Sequence, residues 1–205
     1  MITFKVTGIK EARELFSPKT IEKAVTRTLN EIGKKARTAT ISAITGKYNI
    51  KRGDLSETST GQNRIKLFAA SAGNNTALLS ITGRPISLSY FGARQTVGNK
   101  VITAKKGHKT KRAAKFQGMT VEILKGKRTI LPKSSFLAGV KAGNSGLHLG
   151  VFQRKGKNRF PIFEKKMVTL PSMFNNTNAT EMISKIVSGE FKTIFYRNLK
   201  WYDSK

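Results

Sequence analysis

The longest periodic pattern of apolar residues lies near the N-terminus and predicts one long helix over residues 18–44. Ser17 is a favourable N-cap, and Pro18 suits the first helical position because its fixed φ is already close to helical. Apolar side chains then recur every three or four positions, which places them on one face of a helix. They are Ile21, Val25, Leu29, Ile32, Ala36, Ala39 and Ala43. We expect this face to be buried.

A second helical pattern begins near Ala179 and predicts a C-terminal helix. Its apolar residues again follow the spacing of one helix face. They are Met182, Ile183, Ile186, Val187, Phe191, Ile194, Phe195 and Leu199. We therefore expect two long helices, one towards each end of the chain.

Short segments of alternating apolar and polar residues predict β-strands before and between these helices. The segments are 2–7, 64–72, 76–82, 101–104, 119–124, 127–132, 134–140 and 147–154. Segments 64–72 and 76–82 flank an Asn-Asn turn and predict a hairpin. The segment 83–96 begins with Gly-Arg-Pro, which favours a position at the edge of a sheet. Residues 159–166 are expected to lead away from the strand before them.

These elements together predict the α+β class. We expect one domain over residues 1–205, in which an antiparallel sheet is packed by the long N-terminal helix and the C-terminal helix. Extended loops or arms would project from it. A length of 205 residues suits a single domain with a buried core.

Charge is the unusual feature of the composition. The chain has 39 lysines and arginines against 11 acidic residues, which is a formal net charge of +28. An excess of this size indicates an anionic partner, since solubility alone needs far less charge. The excess is greatest in residues 99–166, which contain 18 basic and 2 acidic residues.

Within that segment, the run KKGHKTKRAAK at 105–115 predicts a basic loop or arm over residues 105–117. Its cations are Lys105, Lys106, Lys109, Lys111, Arg112 and Lys115. Such a run can neutralise phosphates without reading bases. It can equally bind the acidic surface of a protein neighbour. The sequence leaves both interpretations open.

Residues that usually carry chemistry are scarce. The chain has no cysteine, and its two histidines, His108 and His148, lie in the basic run and in a predicted apolar strand. Metal sites need clustered ligands, and the sequence has neither a G-x-S-x-G elbow nor a phosphate-binding glycine loop. We therefore expect no enzyme activity, no metal and no cofactor. No apolar run reaches the roughly 18 residues of a membrane span, and we expect no signal peptide.

Three segments in the second half of the chain follow a distinctive order of motifs. They are GRPISLSYFGARQT at 83–96, SSFLAGV at 134–140 and GVFQRKGKNRFPIFEKKMVTLPSMF at 150–174. In this order they resemble the prophage minor tail protein Z family, the tail-completion proteins of long-tailed bacteriophages. The residues that match the family pattern are Gly83, Arg84, Pro85, Leu88, Phe91, Ala93, Arg94, Gln95, Phe136, Val151, Phe152, Arg154, Arg159, Pro161, Ile162, Pro171, Met173 and Phe174. The helix at 18–44 and the stretch at 48–55 also resemble the family.

The resemblance implies a structural virion protein that completes the head-proximal end of a phage tail, as a ring subunit at the head–tail joint. It implies a homo-oligomer whose partners are other tail or head–tail connector proteins. The expected location is the virion, and the bacterial host cytoplasm during assembly. Under this hypothesis the residues expected at subunit interfaces are Arg84, Arg94, Phe152, Arg154, Arg159 and Ile162.

The cationic stretch VFQRKGKNRFPI at 151–162 has alternative interpretations. Under the resemblance, Phe152 and Ile162 anchor the arms of a hairpin, and its arginines bond carboxylates or backbone carbonyls. A solvated cationic turn is the simpler interpretation. The alternative function is a non-specific nucleic-acid-binding protein that uses residues 99–166. A nuclease is the least favoured class because that segment lacks a carboxylate cluster.

Overall fold

The computed structural model describes residues 2–5, 16–56, 64–97, 100–103, 116–141 and 147–204. The cations of the basic run at 105–115 lie outside the described residues. No helix in the described part is long and apolar enough to cross a membrane.

The chain divides into two compact units that alternate along the sequence. The first comprises residues 1–44, 53–82 and 174–205, and the second comprises residues 45–52 and 83–173. The single domain expected from the sequence stays a prediction.

The first unit is built on helix α1, Pro18–Lys47, of which the residues up to 44 belong to this unit. The Ser17 hydroxyl accepts the Thr20 backbone N–H at 3.2 Å, which caps the helix as the sequence predicts. The predicted apolar face is largely buried, and the helix continues three residues beyond the predicted end at residue 44. Its buried residues are Ile21, Ala24, Val25, Thr28, Leu29, Ile32, Gly33, Ala36, Ala39, Thr40, Ile41 and Ile44.

A small antiparallel sheet accompanies α1. Its strands are β1 (Ile2–Lys5), β2 (Arg64–Phe68) and β3 (Thr76–Thr82), in the order β1-β3-β2. The Asn30 side chain donates from Nδ2 to the Ala70 carbonyl at 3.0 Å, and its Oδ1 accepts the Ala70 N–H at 2.7 Å. These two bonds connect α1 to the chain after β2. At Gly33 an added Cβ would lie 2.8 Å from Leu67 Cδ1, so the helix approaches β2 closely.

Helix α1 also packs against the C-terminal helix of the same unit. That helix spans Ala179–Asp203 and is α3 in chain order. Asn198 donates to the Thr28 hydroxyl at 3.1 Å in the buried contact, and ion pairs join Glu31 to Arg197 and Lys35 to Glu190. Residues later in α1 contact residues earlier in α3, so the two helices run antiparallel.

The second unit contains the remaining strands. They are β4 (Ile86–Ser87), β5 (Arg94–Val97), β6 (Lys100–Thr103), β7 (Phe116–Leu124), β8 (Lys127–Leu131), β9 (Ser135–Lys141), β10 (Leu147–Arg154), β11 (Ile162–Glu164) and β12 (Lys166–Val168). They form three antiparallel sheets, ordered β6-β5-β7-β8, β11-β10-β9 and β12-β4. Helix α2, Leu170–Asn175, follows β12. The α+β class is therefore confirmed, with several small antiparallel sheets in place of one.

Three local expectations differ from the structure. Residues 159–166 do not lead away, because β11 turns back and pairs with β10. The extended segment expected at 83–96 is interrupted by a 3-10 turn at Leu88–Tyr90. Helix α2 was not predicted, although Thr169 caps its first turn by accepting the Ser172 N–H at 3.2 Å. The sequence signal for this helix was Thr169 at the N-cap position, followed two residues later by Pro171 in the first turn.

We expect Asn198→Ala to lower the free energy of unfolding by about 1–3 kcal/mol, because it leaves the buried Thr28 hydroxyl without this donor. Chemical denaturation measures the change. Lys192→Ala, on an exposed position of α3, is the control and should stay within about 0.5 kcal/mol of the wild type. The double variant Thr28→Val/Asn198→Leu should recover part of the loss, since it removes both polar partners. Equal effects of Asn198→Ala and Lys192→Ala would contradict the buried contact.

Candidate functional site

The cationic stretch at 151–162 forms part of a hairpin, which we call the basic hairpin and define as β10, the loop at 155–161 and β11. Arg154 pairs with Ile162, and Phe152 pairs with Glu164. The Lys155 N–H donates to the Pro161 carbonyl at 3.2 Å and closes the loop. The strands therefore hold a short cationic loop in a defined position.

The two arginines of the basic hairpin have different environments. Arg154 is half-buried, donates from Nη1 to the Arg159 carbonyl at 3.1 Å, and lies 4.8 Å from the Phe136 ring centroid. Arg159 is exposed, with its guanidinium 5.6 Å from the Phe160 ring centroid. Arg154 therefore supports the loop from within, whereas Arg159 is available at the surface.

Phe152 belongs to the core of this hairpin. Its side chain is 7% exposed, and its ring centroid lies 6.2 Å from that of Phe136. Ile162 is half-buried on the facing strand. Both residues support the hairpin, and the burial of Phe152 makes it a scaffold residue that a partner cannot touch directly.

Large apolar side chains lie exposed beside the cations of the hairpin. Phe160 is 64% exposed, Phe163 55% and Met167 62%, while the adjoining Lys155 and Lys157 are also exposed. Exposed apolar groups rimmed by charge are typical of surfaces that bind another macromolecule. The segment from Lys155 to Met167 is the candidate contact surface.

The carboxylate of Glu164 lies at the base of this surface and joins several strands. Its Oε1 lies 2.7 Å from His148 Nε2, and its Oε2 lies 2.9 Å from Lys166 Nζ. Burial alone raises the pKa of Glu164, but hydrogen bonds from Lys166, His148 and Ser87 outweigh it and lower the pKa below the ordinary value of 4.5. The contacts link β10, β11, β12 and β4.

The motif segment at 83–96 supplies a second internal connection. Phe91, Ala93 and Gln95 are buried, and Arg94 between them is exposed. The Gln95 side-chain oxygen accepts the Leu137 N–H at 2.6 Å and so joins β5 to β9. Gln95 therefore has a structural role. The sequence of the motif, Ala93-Arg94-Gln95, did not indicate that this side chain would be buried and bonded to the backbone of β9.

Glu122, the other acidic residue of segment 99–166, is also used internally. It accepts from Arg128 Nη2 at 2.9 Å and from the Gly126 N–H at 2.9 Å. The bond from Gly126, followed by that from Arg128, lowers the pKa of Glu122 despite partial desolvation. Both acidic residues of the segment have internal partners, and among the described residues no carboxylate forms an ion pair with a lysine or arginine of the basic hairpin.

The structure therefore groups some of the predicted interface residues and separates others. Phe152, Arg154, Arg159 and Ile162 all belong to the basic hairpin. Arg84 and Arg94 are exposed on the segment that contains β4 and β5. The six predicted contact cations, from Lys105 to Lys115, lie outside the described residues.

Among the described residues, no group of three or more histidine, cysteine, aspartate or glutamate side chains could hold a metal ion. No protein-family model matches the chain, and neither a curated protein nor a solved structure matches it.

We expect Gln95→Ala to lower the free energy of unfolding by about 1–3 kcal/mol, because the buried Leu137 N–H loses its acceptor. Arg94→Ala changes the adjacent exposed residue and should have an effect within about 0.5 kcal/mol. Denaturant titration compares the two variants. Equal stability of both variants would show that the Gln95 bond does not contribute.

The Glu164 cluster should make stability depend on pH. Because the folded-state pKa of Glu164 is depressed below 4.5, its carboxylate stabilises the fold above that value, and the stabilisation is lost as pH falls through the folded-state pKa. We expect Glu164→Gln to reduce the free energy of unfolding at neutral pH, with the difference from wild type shrinking below pH 4.5. Denaturation across this pH range measures it.

Glu181→Gln is the matched control, since Glu181 pairs with Lys185 but both side chains are exposed and such pairs contribute little. A difference between wild type and Glu164→Gln that does not change with pH would contradict the ionic role of Glu164.

Proposed function

We propose that this protein is a structural component of a macromolecular assembly, with the second unit supplying a contact surface. The observation that carries the proposal is the exposed apolar and cationic surface from Lys155 to Met167. It is supported from within by Arg154, Phe152 and Glu164. Such a surface is suited to binding a partner, because burying its apolar groups is favourable and its charges can select an acidic face.

The particular assembly we propose is the head-proximal end of a bacteriophage tail, where copies of this chain complete the tail as a ring at the head–tail joint. The motifs that resemble the minor tail protein Z family support this assignment. Their segments at 83–96, 134–140 and 150–174 are brought together in the second unit, apart from the final residue Phe174. Gln95 and Phe152 act there as buried scaffold residues, as expected if the motifs serve structure.

Strand order suggests how neighbouring subunits would join. Strand β11 lies at the edge of the sheet ordered β11-β10-β9, and an edge strand can pair with an extended segment of another chain. Phe163, in this strand, is exposed and would be covered on pairing. We propose that the outer edge of β11 and the loop at 155–161 form one side of the subunit contact.

Charge would make this assembly conditional. Copies that each carry a formal net charge of +28 repel one another, so a homomeric ring needs a compensating anion. An acidic face on the tail or connector partner would provide it. The ring would therefore form on its partner and dissociate as salt screens the attraction.

Complementation tests the proposal. We expect Arg159→Ala/Phe163→Ser to abolish rescue of a phage whose own copy of this gene is interrupted, with tails and heads accumulating unjoined in electron micrographs. Covering a phenylalanine contributes about 1.5–3 kcal/mol, so subunit binding should weaken at least about tenfold. The variant should remain folded, because both side chains are exposed.

Lys192→Ala/Tyr196→Ser removes a similar pair of exposed side chains from α3 of the first unit and is the matched control. Full rescue by Arg159→Ala/Phe163→Ser would contradict the proposed contact surface. Light scattering after size-exclusion chromatography, with and without duplex DNA, adds a second readout. A monomer that binds duplex DNA tightly at physiological salt would favour the alternative, a non-specific nucleic-acid-binding protein.

A further inference from the structure

A groove of about 610 Å³ opens in the first unit, and none of its lining residues belongs to the sequence segment 99–166. The first half of α1 forms one side of it, and Ala72 and Tyr202 contribute from the β2–β3 connection and from the end of α3. The cations that line the groove are Lys19, Lys23, Arg27 and Lys34. Three of them are spaced four residues apart, so they follow one another along the helix at intervals of about 6 Å.

The acidic residues in this groove already have partners. Glu22 Oε1 accepts the Gly73 N–H at 2.6 Å. Glu31 is paired with Arg197, and the hydrogen bond from Arg197 is the main reason that the pKa of Glu31 is lowered. None of the four lining cations forms an ion pair with a carboxylate among the described residues. The four lining cations outnumber the two lining carboxylates, Glu22 and Glu31, so the groove carries a net positive charge.

Aromatic rings lie beside these cations at the end of α3. The Arg27 guanidinium is 4.4 Å from the Trp201 ring centroid, and Lys23 Nζ is 5.9 Å from that of Tyr202. The two rings meet edge to face with centroids 4.6 Å apart. Trp201 is 40% exposed, so part of this aromatic pair is open to solvent.

We propose that this groove binds single-stranded nucleic acid. A row of cations that contacts phosphates, next to aromatic rings on which bases stack, is the combination that single-strand-binding surfaces use. Lys19 and Lys23 would contact successive phosphates, and a base would stack on Tyr202, which lines the groove, or on the adjoining Trp201. An acidic protein segment would use the cations but would leave the rings without a role. The inference does not depend on the proposed virion function.

Trp201 is the single tryptophan of the chain and contacts Arg27 and Tyr202, which line the groove, so its fluorescence can report binding there without a label. We expect an oligothymidylate of about 12 nucleotides, within the range of known site sizes, to quench Trp201 fluorescence on binding to the full chain. Lys19→Gln/Lys23→Gln should reduce the slope of log affinity against log salt by about 1.4, since each single-strand contact contributes about 0.7. Tyr202→Leu should weaken binding about fivefold or more.

The matched control is Lys185→Gln/Lys192→Gln, which removes the same charge from exposed positions of α3 that do not line the groove. It should leave both the quenching and the salt slope unchanged. Equal effects of the two double variants would overturn the proposal. So would binding detected by the anisotropy of a labelled oligonucleotide without any change in Trp201 fluorescence, because such binding lies elsewhere on the chain.

Polyglutamate tests the other class of anion. We expect it to compete with the oligonucleotide only weakly and to leave Trp201 unquenched. If polyglutamate instead competes as strongly and quenches as fully, the groove is a site for acidic protein segments, and the nucleic-acid proposal is wrong. These outcomes are independent of phage rescue, which depends on residues of the second unit.

Discussion

Burial of one face of helix α1 is the interaction on which the first unit depends. A sheet of three short strands gains stability when a helix packs against one of its faces. Helix α1 provides that cover, and Gly33 allows it to approach Leu67. The same helix packs against α3, and the buried hydrogen bond between Asn198 and Thr28 specifies how the two helices align. The core therefore supplies the stabilising energy, and the polar contacts choose the alignment.

The second unit is held together differently. Its sheets are small, and side chains that bond across elements connect them. Gln95 joins β5 to β9, and Glu164 gathers His148, Lys166 and Ser87 around β11. These bonds support a hairpin whose outer side remains exposed. A rigid support of this kind lowers the entropy lost when the hairpin binds a partner, which suits a contact surface.

Charge connects the proposed functions of the two units. The acidic residues of the segment at 99–166 have internal partners, and the same is true of the acidic residues that line the α1 groove. Among the described residues, the lysines and arginines of the basic hairpin and of the groove form no ion pair with a carboxylate, which leaves them able to bind an external anion. The surfaces differ in what accompanies the charge, since the hairpin adds exposed Phe160 and Phe163 and the groove adds an aromatic pair beside Arg27. This difference favours a protein partner for the hairpin and nucleic acid for the groove.

Periodicity was enough to predict the main elements and the α+β class. The buried face of α1, the C-terminal helix, the hairpin at 64–82 and the strands around 119–154 could be read from local spacing, because a helix or strand face is set by residues close in sequence. Strand β10 of the basic hairpin could be anticipated in the same way, whereas residues 159–166 were expected to lead away and instead contain β11, which pairs with β10. Several boundaries differ by a few residues, and α2, whose six residues give too little periodicity, was missed.

The sequence alone also determined the excess of positive charge and the order of the motifs. Only the tertiary structure decided which of those residues face solvent. It buried Phe152 and turned Gln95 towards the Leu137 backbone. It left Arg154 half-buried under the loop and Arg159 at the surface. It also placed Trp201 beside Arg27, which lies 174 positions earlier in the chain. Such contacts depend on how distant segments pack, and local periodicity contains no information about which distant residues will meet.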